Sequence, residues 1–440
     1  MLRNPRRRKS LVYGHVKRSH LLSGLLMSPL PKPRHAPNRM QLPSLMYYSL
    51  AGTAIALIAW FPGHWLVSLV LLPWLWRKAP THWQATALWL GYYLTGARDI
   101  PLICARFFSG HNELSASLGY LLGIGFWLAQ AILLSSPWSL FHPASKTPAA
   151  KTIIRVFIAL FCTNLPPLGM IGWLSPLHIS SALFPAWGGL GLLLGIGTLC
   201  LAAVRPGHRQ MIWLTLCLAG LALTAHKNET RPAIPAGWLA LDLQLGRLDQ
   251  STLLALFKRT EQVQSALSQA LSQPTTTVVV LPEEIIGLWR PALAFWWQEQ
   301  IRQAARQGQT FLLGADLLKQ EMPLRYTNSV LAFGHYPARL DSRMPMPAGL
   351  WRPGSAISAV AGKLRQPYLK LGDLQAALSI CYEDFLWWPH WRLFCAPPEI
   401  LISVANQWFS SDLPLAEMQQ QSIHSLARLV GVPIVRSTNR

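Results

Sequence analysis

Acidic residues are scarce in this chain: 18 Asp and Glu stand against 39 Lys and Arg in 440 residues, and charges of both signs together reach only 13%. With 51% hydrophobic residues and 20 tryptophans, that leaves too little charge to coat an ordinary soluble enzyme of this length, and the composition points to a membrane protein. Cysteine is scarce too. None of the six pairs at CxxC spacing, and Cys381 with Cys395 makes no disulfide case, so neither a metal centre nor a disulfide framework is legible. His390 and His424 stand outside any ligand pattern. No metal and no cofactor are expected.

Acid is absent altogether from residues 1–44, which carry ten Lys or Arg and so +10 of the formal +21. A basic arm of this kind suits a cytoplasmic topology signal; anionic lipid and nucleic acid are its other conceivable partners, and no specific nucleic-acid binding is expected. Its apolar patch LLSGLLM is short for a secretory signal, and Met40 and Met46 are alternative starts. From 45 to 226 the chain reads as a transmembrane domain of about seven apolar segments, roughly 45–61, 64–76, 83–95, 117–134, 153–173, 180–203 and 210–225. Several are short of the ~20 residues that a straight span needs. Charge placement supports the count: Arg77 with Lys78, Lys146 with Lys151, and Arg205, His208 and Arg209 fall on the side of the basic tail, the loops near Gly63 and Ser175 carry none, and the Arg98 to Glu113 loop is mixed. Seven crossings put everything after His226 on the opposite, periplasmic face of a bacterial inner membrane.

Near residue 230 the character changes. Residues 231–440 alternate strand-like and helix-like stretches: LALDLQL and TTTVVVL, then TFLLGA, YTNSVLAFG, LQAALSICYE and EILISVAN read as strands, with amphipathic helices over STLLALFKRTEQVQSALSQALSQ and PALAFWWQEQIRQAARQGQ. That order predicts an α/β sheet with helices on its faces. In such sheets chemistry gathers past the carboxyl ends of strands, where VVVLPEE places Glu283 and LSICYED places Cys381. A thiol there attacks a carbonyl well only as thiolate; a partly buried carboxylate can take its proton, and the oxyanion then needs donors. The same thiol also fits a plain buried cysteine at a strand end. Glu284 reads as a solvated or capping carboxylate, and Trp387, Trp388 and Trp391 either line an entrance or simply pack.

LPEE followed by ICYED resembles the carbon-nitrogen hydrolase (nitrilase) superfamily, and a multispan region ahead of such a domain is similar to apolipoprotein N-acyltransferases. NLPPLGMIGWLSPLHISSALFPAWGGLGLL (164–193) and SRMPMPAGLWRPGS (342–355) look like a family of plasmid conjugal-transfer membrane proteins with this layout; NQWF (406–409) and RSTN (436–439) follow in order. The resemblance implies an all-α polytopic membrane domain followed by an α-β-β-α sandwich, short of some C-terminal strands. It makes Glu283 the general base and Cys381 the nucleophile, with Tyr382 and Glu383 beside it. The lysine of the family's Glu, Lys, Cys site is replaced: Ser342 takes its position, Arg343 next to it is the nearest substitute, and Lys363 and Lys370 qualify only if their loop folds back. Leu350 stands where that pattern has a glutamate. The function implied is conjugal transfer with amide hydrolysis or N-acyl transfer through a Cys381 thioester, with membrane lipid, an acyl donor, an amine or water acceptor and conjugation-apparatus proteins as partners. The alternatives are a domain that has lost its chemistry and serves assembly, or true apolipoprotein acylation.

Overall fold

A run of helices leads the chain: α1 (Leu42–Trp60), α2 (Leu71–Lys78), α3 (His82–Gly96), α4 (Ile100–Gly110), α5 (Ala116–Leu140), α6 (Ala149–Asn164), α7 (Ile179–Leu183), α8 (Gly188–Ala202) and α9 (Arg209–Lys227). The structure is a computed structural model that describes residues 42–61, 65–204, 209–229 and 232–440. The basic tail up to residue 41, the loop at Gly63 and the charges Arg205 and His208 lie outside the described residues. Each of the seven apolar segments contains helix. Among the described residues, however, only α1 and α5 are long and apolar enough to cross a bilayer, or three spans if the pair Pro176–Leu183 and Gly188–Ala202, bent by 119°, is one broken crossing. The expected segment 153–173 is α-helical only to Asn164, because two consecutive prolines, Pro166 and Pro167, cannot continue the helix, and only a short 3-10 turn, Leu168–Met170, follows.

One helix stands where a loop was expected. The charges between Arg98 and Glu113 read as an extramembrane loop, yet they flank and line α4, and they find partners in the second half of the chain. Arg106 pairs with Asp412 at 2.5 and 3.0 Å, Asp99 accepts from the Leu415 N–H at 3.0 Å, and Glu113 pairs with Arg352 at 2.7 Å. Packing among the helices is close. A Cβ on Gly52 of α1 would lie 1.9 Å from the Leu88 carbonyl oxygen of α3, the small-residue approach that helices use where water no longer drives association. Trp89 and Trp138 stack at 3.9 Å in the same core.

Residues 238–439 build two sheets. The first runs β1 (Trp238–Ala240), β2 (Val278–Val280), β3 (Thr310–Gln320), β4 (Leu324–Gly334) and β5 (Ala338–Asp341) in spatial order, with β6 (Ile357–Ala359) also pairing β4. The second runs β10 (Ile434–Asn439), β9 (Ile400–Asn406), β8 (Leu374–Ile380) and β7 (Leu369–Leu371). Alternation along the strands sets the layers. Val278, Val280 and Leu312 face Leu378, Ile380, Ile402 and Val404 of the other sheet, whereas Val279, Phe311 and Leu313 face α10 (Leu253–Leu271) and α11 (Pro291–Arg306). On the far side, Ala377 and Leu401 meet α13 (Pro414–Val430), and the same core continues into the helical half. The result is four layers, helix, sheet, sheet, helix. The strands expected from sequence are present; β5, β6, β7 and β10, which it did not single out, complete the sheets.

The two halves share hydrogen bonds as well as core. After α6 the loop 165–175 turns toward the sandwich, where the Met170 carbonyl accepts from the Tyr382 hydroxyl at 2.8 Å and the Gly169 carbonyl from Trp388 Nε1 at 3.1 Å. Trp387 Nε1 donates to His178 Nε2 at 3.2 Å. Trp387 and Trp388 therefore pack as junction residues, while Trp391, which opens the short α12 (Trp391–Cys395), is exposed.

Candidate active site

Parallel strands β2 and β8 end beside each other's sheets, and the residues just past their carboxyl ends converge. Glu283 follows β2 by way of Leu281 and Pro282 and is buried. Its Oε1 accepts from Asn328 Nδ2 at 2.6 Å and its Oε2 from the Asn406 backbone N–H at 3.0 Å. The Cys381 thiol is a near neighbour of the same carboxyl. Cys381 opens a 3-10 turn directly after β8 and holds φ at +50°, a left-handed conformation that costs an L residue about 1–3 kcal/mol and is retained where the surroundings impose it. Those surroundings are explicit. Gln419 Nε2 of α13 donates to the Cys381 carbonyl at 2.9 Å and to Asp384 Oδ2 at 3.0 Å, and Asp384 also accepts from Ser379 and Ser403.

Glu283 and Cys381 line one cavity of about 440 Å³, together with Asn406, Leu350, Arg352 and Trp408, and with Phe107, His111 and Glu113 at the end of α4. The helical half thus supplies part of the wall. Burial first, then the charge of Glu284, pushes Glu283 up to about 8, against the neighbouring Cys381 thiol and the hydrogen bonds from Asn328 and Asn406. Burial and the neighbouring Glu283 push the thiol well above its ordinary value. The pair is therefore protonated on both members at neutral pH, and the first proton leaves near 8.

Several other residues singled out in the sequence do not join them. Glu383 is buried behind the turn, where Oε1 accepts from the Ser342 hydroxyl and the Met344 N–H, both at 3.1 Å, and from the Arg343 N–H; Oε2 pairs with Arg343 Nη2 at 2.6 Å. Arg343 also donates to the Leu378 and Pro389 carbonyls. This corrects the expectation that Arg343 substitutes for the family lysine: its fork is committed to Glu383 and two carbonyls, and it lines a separate small cavity with His390 rather than the one holding the thiol. Ser342 is likewise turned to Glu383. Lys363 and Lys370 are exposed and absent from the cavity wall. Tyr382 is spent on the junction with Met170. Glu284, expected as a solvated or capping carboxylate, is instead half-buried with φ at +49° and lines the cavity beside Asp316.

No protein-family model matches the chain. Two curated proteins resemble it over most of its length. The conjugal transfer protein TraB of Agrobacterium fabrum is 28% identical over 413 residues, 89% of this chain and 91% of the relative. A probable conjugal transfer protein TraB of Sinorhizobium fredii is 26% identical over 404 residues, 89% of this chain and 97% of the relative. The likeness to TraB runs nearly end to end. Among solved structures, a carbon-nitrogen hydrolase from Helicobacter pylori overlaps 46% of this chain and 72% of its own with a TM-score of 0.33 at 18% identity. An amidase from Nesterenkonia sp. overlaps 48% and 79%, with a TM-score of 0.34 at 15% identity. The two stretches that first suggested the TraB likeness occupy distinct places: 164–193 carries the loop that receives Tyr382 and Trp388, and 342–355 carries Ser342, Arg343 and the cavity residues Met346, Gly349, Leu350 and Arg352.

Two expectations arise from this geometry. Glu283 is raised, so it gains base character only as pH climbs through about 8; the rate of Cys381 alkylation by iodoacetamide should rise through that pH, and Glu283→Gln should abolish that limb. Gly314 of β3 lies against the Glu283 turn, where an added Cβ would meet the Pro282 oxygen at 2.3 Å and Glu283 Cα at 2.6 Å. Gly314→Ala should displace the base, costing about 1–3 kcal/mol by overpacking and slowing alkylation of Cys381, read by mass spectrometry of the labelled protein.

Proposed function

We propose that this is a multi-pass inner-membrane protein of plasmid conjugation whose sandwich domain, on the periplasmic face, transfers or hydrolyses an acyl group through a Cys381 thioester. The observation that carries the chemistry is the left-handed Cys381, its thiol beside the buried Glu283 carboxyl and both open to one cavity. Once ionised, as pH rises through about 8, Glu283 takes the thiol proton as sulfur adds to an amide or ester carbonyl, then returns it to the leaving amine or alcohol. Water or an amine attacks the thioester in the second half, the C–S bond breaks, and Glu283 relays the proton back to sulfur. The name of the TraB relatives supports the conjugation role. Membrane placement is supported by the apolar α1 and α5. Arg77 donates to the carbonyls of Ala144, Ser145 and Thr147, which sets two basic loops together at one end of the bundle, as a shared cytoplasmic side requires.

A second reading keeps the fold and discards the chemistry, so that the domain serves assembly of the conjugation apparatus. It is favoured by the commitment of Arg343 to Glu383, which leaves no family cation at the thiol. The test is plasmid transfer from donors carrying Cys381→Ala, with membrane accumulation checked, beside wild type and a deletion. A variant as defective as the deletion supports the thioester reading. Wild-type transfer by the alanine variant, where the deletion fails, supports assembly alone.

A further inference from the structure

The nucleophile and the base follow strands of different sheets, and one side chain of α13 is bonded to the segments that carry both. Gln419 is 5% exposed. Its Nε2 donates to the Cys381 carbonyl at 2.9 Å and to Asp384 Oδ2 at 3.0 Å, which grips the turn after β8. Its Oε1 accepts from Gln407 Nε2 at 2.9 Å. Gln407 directly follows Asn406, whose backbone N–H donates to Glu283 Oε2 at 3.0 Å. A path of hydrogen bonds from the backbone of the nucleophile to the carboxyl of the base thus runs through a single carboxamide. That group suits the place because it donates and accepts at once, whereas a carboxylate only accepts and a hydrocarbon does neither.

Both ends of the path are held in turn. Asn406 Oδ1 accepts from Asn439 Nδ2 at 3.0 Å, and the Gln407 N–H donates to the Asn439 carbonyl at 2.7 Å, which ties 406–407 to the end of β10. α13 is anchored on the helical half before and after Gln419. The Leu415 N–H donates to Asp99 Oδ2 at 3.0 Å, Gln421 Nε2 donates to the Ala59 carbonyl of α1 at 3.1 Å, and Ser425 Oγ lies 2.9 Å from His178 Nδ1. A side chain on a helix fixed in this way cannot follow the turn if the turn shifts. Cys381 needs such a hold, because a residue at φ +50° relaxes toward an ordinary backbone when its surroundings release it.

We propose that Gln419 is a positioning residue: its carboxamide holds the Cys381 turn in register with the loop that orients Glu283, so that thiol and carboxyl stay within reach of proton transfer. It stands outside the cavity wall and takes no part in bond making. Gln407 is the second link of the same path. Removing either link frees two segments whose separation decides whether the base reaches the thiol, and small displacements of that kind carry large rate effects. The inference deepens the reading above and rests on its thiol and carboxyl acting as a pair, but not on acyl transfer.

The test is a double-mutant cycle on the full-length protein in detergent. Alkylation of Cys381 by iodoacetamide is followed by mass spectrometry on both sides of pH about 8, in wild type, Gln419→Leu, Glu283→Gln and the double variant. Gln419→Leu should slow labelling above that pH about tenfold and flatten the limb that depends on Glu283. In the Glu283→Gln background the same leucine should change nothing, because the base that Gln419 aligns is already gone. A side chain that served packing alone would alter labelling by the same factor in both backgrounds, and that result overturns the proposal, as does an unchanged limb in Gln419→Leu. Should Gln419→Leu fail to accumulate, Gln407→Leu breaks the path from its other side and is read by the same cycle with the same expectation. A wild type that shows no limb removes the pair and the positioning role together. A limb without any acyl-enzyme removes acyl transfer and leaves the positioning role standing.

Discussion

Cys381→Ala should eliminate covalent labelling by acyl-donor analogues and cut any turnover by at least about a thousandfold, since a nucleophile acts as a unit with its base, while changing stability little. The second half of that expectation follows from φ. The thiol sits on a residue held at +50°, and alanine meets the same backbone penalty as cysteine, so the substitution removes the sulfur without relieving or adding backbone strain. The lost contacts are few, because Cys381 is a half-buried residue on the cavity wall. Intact-mass detection of a thioester after exposure to an activated acyl ester, in wild type and in Glu283→Gln, is the measurement. A wild-type protein that never acquires the acyl mass would count against catalysis.

Glu383→Ala should do the reverse: it should damage the fold far more than any direct contact with substrate. It would leave the Arg343 guanidinium, 15% exposed, without its counter-charge and strip acceptors from the Ser342 hydroxyl and the N–H groups of Arg343 and Met344. Breaking a buried pair from one side costs about 3–5 kcal/mol. Thermal unfolding in detergent should show a large drop, and Cys381 labelling should fall with it, because this carboxylate also holds the turn that carries the thiol. Burial opposes the charge of Glu383, but Arg343 and the surrounding donors hold it below the ordinary value. A depressed carboxylate contributes stability above its unfolded pKa and loses that contribution as pH falls through the folded one. Wild type should therefore lose stability on acidification below about 4.5, and Glu383→Gln should lack that component.

Much of this site was legible in the sequence. A β-branched run ending in Pro and Glu, and an apolar run ending in Cys, mark the carboxyl ends of strands in two facing mixed sheets, and both residues do converge. Asp316 was not legible. TFLLGA looked complete as a strand, whereas β3 runs on through Asp316 to Gln320 because β4 pairs with it that far. Asn328, a polar residue in the middle of the apolar strand YTNSVLAFG, was the available signal for a partner to Glu283. Hydropathy also missed the helix α4, whose flanking and lining charges Asp99, Arg106 and Glu113 find partners on the sandwich. Local sequence shows charge but not what lies across from it. The replacement of the family lysine was legible; the commitment of Arg343 to Glu383 was not, since it depends on a turn 40 residues away.

The end of α4 in the cavity wall and the bonds from Tyr382, Trp387 and Trp388 to residues 169–178 have a practical corollary. Cutting the chain near residue 231 would not release the sandwich with its cavity intact. The excised part would have lost a side of the cavity that holds Glu283 and Cys381 and would show bare indole surface to solvent, inviting self-association. Biochemistry on this protein accordingly begins with the entire polypeptide in detergent or lipid, and a failed soluble fragment says nothing about whether Cys381 reacts.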